Sequence, residues 1–209
     1  MKKIYVFFAM ILTFSLQACA QEQEKWVEDT HYKVISDQAT EKPVVTEYFS
    51  FWCPHCYNFE PIVAQIKAKL DEGTEFKKVH VNFMRFTGPE VQDAATKAML
   101  VGRTMGKEVE MNQAIFNYIH VQRQPITGLT ELQSIFLANG VTNEEFNKMA
   151  SSFGVNSQLK QNNKSLADYR EHLSGVPNFI VNGKYQATFT RDMTMDDIVE
   201  LIVWLSKQP

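Results

Sequence analysis

Residues 44–57 read Val44-Val45-Thr46-Glu47-Tyr48-Phe49-Ser50-Phe51-Trp52-Cys53-Pro54-His55-Cys56-Tyr57. The first six are β-branched or aromatic apart from Glu47 and put apolar side chains on both faces. That pattern suits a central strand covered on both sides. From Pro54 the periodicity changes. Phe59, Val63, Ile66 and Leu70 recur at steps of four, three and four, which marks one face of a helix. Pro54 fits a first-turn position, where a missing N–H costs nothing. Pro61 sits inside the helix without an N–H for the carbonyl of Tyr57 and is expected to kink it. Two cysteines separated by two residues therefore stand where a strand feeds a helix, a context that says more than the spacing alone.

The chemistry follows from that placement. Unpaired N–H groups and the positive end of the helix dipole stabilise a thiolate at Cys53. His55, when protonated, adds positive charge, and Pro54 with His55 forms the dipeptide that tunes the thiol. A thiol whose pKa is lowered leaves easily and stabilises the reduced protein, so the oxidised form becomes the stronger oxidant. Cys53-Pro54-His55-Cys56 thus reads as an oxidase motif before a reductase one. Two plainer readings stand beside it. A zinc site needs four ligands, and His31, His55, His80, His120 and His172 repeat no ligand-like spacing. A purely structural disulfide closing a two-residue loop restricts the unfolded chain very little.

The cysteine inventory narrows the compartment. The 209 residues contain three cysteines, and the third, Cys19, lies in a leader. Lys2 and Lys3 precede an apolar run from Ile4 to Leu16, and Ala18 and Ala20 give the A-x-A pattern read by export peptidases. Residues 1–20 are expected to be a signal peptide, too short in its apolar part for a comfortable membrane span. Leu16-Gln17-Ala18-Cys19 also resembles a lipobox, so a lipid anchor at Cys19 stands as the second reading. Either way, one cysteine pair remains in a compartment where disulfides persist. Loss of Lys2 and Lys3 takes the net charge from −3 to −5, which leaves no basic footprint for nucleic acid.

Further along, residues 21–31 are expected to be a loose leader and residues 78–83 a second strand, from the alternation of Val79, Val81 and Phe83. Residues 89–172 show helical faces and no strand. Ala94, Ala95, Ala98 and Met99 mark one face, and Ile115, Phe116 and Ile119 another. Thr130 is expected to cap a helix ending at Asn139-Gly140. Thr142 with Glu145 forms a capping box. Leu159, Leu166, Tyr169 and Leu173 are assigned to one long final helix of the block. Strand character returns at Asn178–Val181, Asn182-Gly183 signals a hairpin, and Thr194 opens a last helix.

The active-site stretch Phe49–Tyr57, the stretch His80–Met84, and Gly175-Val176-Pro177-Asn178-Phe179-Ile180-Val181-Asn182-Gly183-Lys184-Tyr185 together resemble the DsbA family of periplasmic thiol:disulfide oxidoreductases. The likeness runs from about Glu41 to Lys207 and is weakest in the helical block. It implies an α/β thioredoxin fold with an inserted all-helical subdomain, the insertion covering 84–164 and the thioredoxin-like domain 21–83 and 165–209. It implies Cys53 as the exposed exchanging thiol, Cys56 as its buried partner, and a cis Val176–Pro177 bond that presents the Val176 backbone to substrate. It places an acid at Glu47 and its companion lysine at Lys78, as proton-handling groups. It further implies a periplasmic monomer with no metal or other cofactor, acting on reduced, unfolded secreted proteins and reoxidised by a DsbB-type membrane partner. Glu60 is expected at the surface, and Pro61 is read as architecture. Two departures are Trp52, where phenylalanine is frequent, and a short segment Thr190–Met193.

Overall fold

The structure, a computed structural model, describes residues 25–209. The expected signal peptide and Cys19 lie outside the described residues.

A five-stranded mixed sheet has the order β1-β5-β4-β2-β3, with β1 at Tyr32–Val34, β2 at Val44–Phe49, β3 at Glu75–His80, β4 at Asn178–Val181 and β5 at Tyr185–Ala187. Five of the six β2 residues are buried, so this strand is central as its composition requires. It runs parallel to β3 and antiparallel to β4. A parallel pair needs a crossover, which α1 (Pro54–Lys69) supplies with Pro54 in its first turn, and it buries Ile62, Val63 and Ile66. Asn182 and Gly183 both have positive φ, 54° and 65°, as a two-residue hairpin of primed type demands. α7 (Met195–Ser206) opens on a box in which the Asp197 N–H donates to Thr194 Oγ1 and the Thr194 N–H to Asp197 Oδ2. It packs with α1 over one face of the sheet.

Between β3 and β4 lie α2 (Pro89–Thr104), α3 (Glu108–His120), α4 (Leu129–Ala138), α5 (Asn143–Ala150) and α6 (Phe153–Tyr169). This is a thioredoxin fold carrying an all-helical insertion. One hydrophobic cluster joins Phe49, Phe51, Cys53 and Cys56 to Met99, Ile115, Phe116 and Phe136 of the insertion, so the cysteine pair sits on the seam between the two parts. α6 runs unbroken through residue 165, and its Asn162 and Ser165 bond to His80 and Tyr48 of the sheet.

Four local expectations are corrected. The second strand is Glu75–His80 rather than 78–83. Beyond Val81 the backbone finds partners in α2, as where the Met84 N–H donates to Gln92 Oε1, while the charged Glu75 and Lys77 hide a strand whose register β2 imposes. The helix at Leu129 is capped by Glu131, which accepts from the Thr127 and Gly128 N–H groups, and not by Thr130. The last helix of the block stops at Tyr169, so Leu173 is buried from beyond a 3₁₀ turn at Arg170–His172. From Lys25 the segment before β1 is docked rather than loose. Trp26 is buried and Lys25 lies 2.9 Å from Asp197 of α7. A three-residue strand and one buried tryptophan are too short a pattern to read without their partners.

Candidate active site

Cys53 is the N-cap of α1, with extended φ/ψ of −91° and 111°, and its Sγ accepts from the Cys56 N–H at 3.2 Å. An N-cap side chain ordinarily supplies oxygen to this orphan donor; here sulfur takes the place. The Val176–Pro177 bond is cis, and the Val176 carbonyl accepts from Cys53 Sγ at 3.3 Å. Both cysteines are free thiols. Cys56 is fully buried. Cys53, expected to be exposed, is only 3% exposed, because it lies beneath Val176 and packs into the seam cluster. Pro54 and His55 are exposed on the first turn of α1.

The two sulfurs are driven apart in acidity. The Cys56 thiol, hydrogen-bonded to Cys53, is the largest influence lowering Cys53 to about 7; burial opposes it, and the N–H groups of Cys56 and His55 assist. His55 thus acts through its backbone. Burial first, then the hydrogen bond to Cys53, pushes the Cys56 thiol far above its ordinary range. In the reduced protein we therefore expect alkylation by iodoacetamide to label one thiol per chain, with a midpoint near pH 7, and to leave Cys56 unlabelled through pH 9. Because the folded pKa of Cys53 lies below its unfolded value of about 8.5, its contribution to stability is complete above that value and is lost as pH falls through about 7. Peptide mapping across a pH series checks this, and two thiols titrating together near pH 8.5 would contradict it.

Below the pair, β2 and β3 place Glu47 and Lys78 in register, on the same face of the sheet. Lys78 Nζ lies 2.5 Å from Glu47 Oε2 and 2.7 Å from Glu60 Oε1 of α1. Glu60 is therefore not a solvated surface charge; it completes the neutralisation of Lys78. Burial raises the proton affinity of Glu47, against the pull of Lys78, and its Oε1 is buried without a hydrogen-bond partner. Burial also acts to lower Lys78, but Glu47 and Glu60 outweigh it and keep the ammonium charged. Burial thus acts on Glu47 in favour of its neutral form.

Two histidines to which the sequence assigned no role at the cysteines, His80 and His120, stand at the loop before Cys53. His80 Nε2 accepts from the Phe51 N–H at 3.1 Å, which leaves Nδ1–H to donate to Thr96 Oγ1. Burial, with Lys78 second, pushes its pKa down to about 3, so it is neutral. His120 Nε2 donates to the Phe51 carbonyl at 2.8 Å. Neither role carries a signal in a single sequence, because both depend on how the insertion folds back. Among the described residues no group of three or more His, Cys, Asp or Glu could hold a metal ion.

The family model for the DsbA-like thioredoxin domain matches residues 44–201. The chain belongs to this family. Its DsbA-type relatives include the thiol:disulfide interchange protein DsbA of Escherichia coli K12, 33% identical over the whole of both chains. The DsbA of Salmonella typhimurium is 35% identical over 190 residues, covering 89% of this chain and 86% of the relative. Solved structures with the same fold include the DsbA disulfide interchange protein of Klebsiella pneumoniae, with a TM-score of 0.78 at 23% identity over 88% of this chain and all of that one. DsbA of Proteus mirabilis gives 0.77 at 24%, covering 88% of this chain and 98% of that one. As a DsbA-family member, the protein is a thiol:disulfide oxidase, and its redox-active group is the cysteine pair of its own chain.

Proposed function

We propose that the protein donates the Cys53–Cys56 disulfide to reduced, newly exported proteins in the periplasm. The supporting observation is the asymmetry of the two sulfurs, one held at a helix N-terminus at about 7 and the other sealed and strongly disfavoured as a thiolate.

A substrate thiolate attacks Cys53 Sγ, the Cys53–Cys56 bond breaks, and Cys56 leaves with the electron pair. Burial makes that thiolate costly, so it is protonated; Glu47, close enough to act on both sulfurs electrostatically, is the acid assigned to this proton, with Lys78 holding its charge state. A second substrate thiolate then attacks the substrate sulfur of the mixed disulfide and expels Cys53. The substrate gains one disulfide and releases two protons in becoming the attacking thiolates; the protein gains two electrons, a proton ends on Cys56, and Cys53 is left as the thiolate. Pro54 and His55 form the turn whose N–H groups favour the departing Cys53 thiolate. Pro177, in its cis bond, leaves the Val176 backbone facing the cysteines, where an extended substrate can pair with it.

The reduced protein is returned to the disulfide by a DsbB-type membrane partner. The protein acts as a monomer of two parts, a thioredoxin-like domain of residues 21–83 and 165–209 and a helical domain of residues 84–164. No helix among the described residues is long and apolar enough to cross a membrane. Export rests on the leader, with cleavage after Ala20 preferred to a lipid anchor at Cys19.

The deciding experiment equilibrates mature protein with graded mixtures of reduced and oxidised glutathione and measures the dithiol fraction. An oxidase stays reduced in mixtures that leave thioredoxin largely oxidised, because its thiolate is stabilised. A disulfide that survives strongly reducing mixtures would instead make the pair structural or reductive.

A further inference from the structure

Phe51 stands two residues before Cys53, and the chain between them is a turn closed by the Cys53 N–H on the Ser50 carbonyl at 3.0 Å. Its central peptide joins the Phe51 carbonyl to the Trp52 N–H. Both ends of that peptide are held. The Trp52 N–H donates to Ser50 Oγ at 3.2 Å, and the carbonyl accepts from His120 Nε2 at 2.8 Å. The peptide before it is pinned as well, through the Phe51 N–H on His80 Nε2.

The central peptide of a β-turn is the unit whose rotation converts one turn type into another, at little change elsewhere in the chain. Rotation here would exchange the directions of N–H and C=O, and so must break both bonds. The Ser50 hydroxyl is local to the turn and moves with it. His120 belongs to α3 of the insertion and is fixed independently. Its ring stacks on Tyr57 at 5.2 Å and 9°, and the Tyr57 hydroxyl donates to Asn117 Oδ1, also on α3. Since a carbonyl only accepts, Nε2 carries the hydrogen.

We propose that His120 is a positioning residue for the chemistry of Cys53. It holds the central peptide of the Ser50–Cys53 turn in one orientation and so keeps Cys53 Sγ beneath the N–H groups that open α1. The helical insertion thereby contributes directly to the active-site loop. This rests on Cys53 being the exchanging thiol, and not on the direction in which it exchanges disulfides.

The test compares His120→Leu and His120→Gln in the reduced mature protein. Its readouts are the pH profile of Cys53 alkylation by iodoacetamide and the hydrogen-exchange rate of the Trp52 amide. With leucine the donor is gone. The alkylation midpoint moves to higher pH by the weight of one neutral hydrogen bond, and because the parent midpoint lies near pH 7, alkylation at pH 7 slows about threefold. Trp52 exchange quickens while the β4 amides keep their protection. Glutamine, whose amide can donate in place of the ring, returns both readouts toward the parent. Superimposed profiles for His120→Leu and the parent overturn the proposal, as do equal shifts for leucine and glutamine. Should the leucine variant fail to fold, His120→Asn, one methylene shorter than glutamine, takes its place. A shift with asparagine but not glutamine supports the latch, and matching profiles overturn it. Alkylation reads the thiolate alone, so a failed oxidase result in glutathione and a failed result here are distinguishable.

Discussion

Lys78→Met is expected to lower folding stability at pH 7 by about 3–5 kcal/mol, the usual penalty for leaving a buried charge without its partner. Lys78 is 8% exposed and sits between Glu47, which is fully buried, and Glu60. Without the ammonium, Glu47 loses the attraction that opposes its desolvation, and its pKa rises further in the folded state. A carboxyl whose folded pKa is raised destabilises the protein above its unfolded pKa, about 4.3, and ceases to do so below it. The deficit should therefore shrink when urea denaturation is repeated near pH 4. Glu47→Gln combined with Lys78→Met should recover most of the loss, because the pair is then absent rather than broken and Glu60 can reach solvent. A loss under about 1 kcal/mol for Lys78→Met would place the ion pair in the weak class of surface pairs and remove the reason for assigning Glu47 a raised proton affinity.

The two cysteine variants should fail in opposite ways. Cys53→Ser is expected to reduce disulfide donation to the uncatalysed level and to form no mixed disulfide with glutathione or a substrate peptide, since Cys56 is fully buried and its thiolate strongly disfavoured. Cys56→Ser should also lose donation, yet retain an alkylatable Cys53 and accumulate a mixed disulfide that no second cysteine resolves. Cys53 keeps the helix N–H groups, and the serine hydroxyl can still donate to its sulfur. Mass spectrometry of both variants after incubation with oxidised glutathione reads the adducts directly. Adducts on both variants, or preferentially on Cys53→Ser, would reverse the assignment of nucleophile and partner. Undiminished activity in Cys53→Ser would mean that the disulfide is structural and the protein binds chains without oxidising them.

Much of this was legible in the chain itself. A strand apolar on both faces can only be central, and six residues of β2 announce it. A proline after Cys53 suits the first turn of a helix, and α1 opens there. The Asn182-Gly183 pair requires two positive φ values and has them. These readings succeed because steric limits on φ/ψ and the periods of helix and strand act within a few residues. Two of the expectations that failed depended on partners far away in sequence. β3 starts at Glu75 because its charged first half is held by β2, and Glu60 leaves solvent because the crossover of α1 brings it to Lys78.

From its residues alone, then, the chain determined the strand, the helix, the cysteine pair at their junction and the type of chemistry. The family resemblance supplied Pro177 and the pairing of Glu47 with Lys78. Tertiary structure decided what acts on Cys53. Parallel register set Lys78 beside Glu47, the return of β4 brought the Val176 carbonyl to 3.3 Å from Cys53 Sγ, and α3 of the insertion carried His120 to the Phe51 carbonyl. The physical reason is range. Local sterics and hydrogen bonding within a turn are written in consecutive residues, whereas burial, buried ion pairs and pKa shifts arise only when packing removes water from groups that the sequence keeps apart.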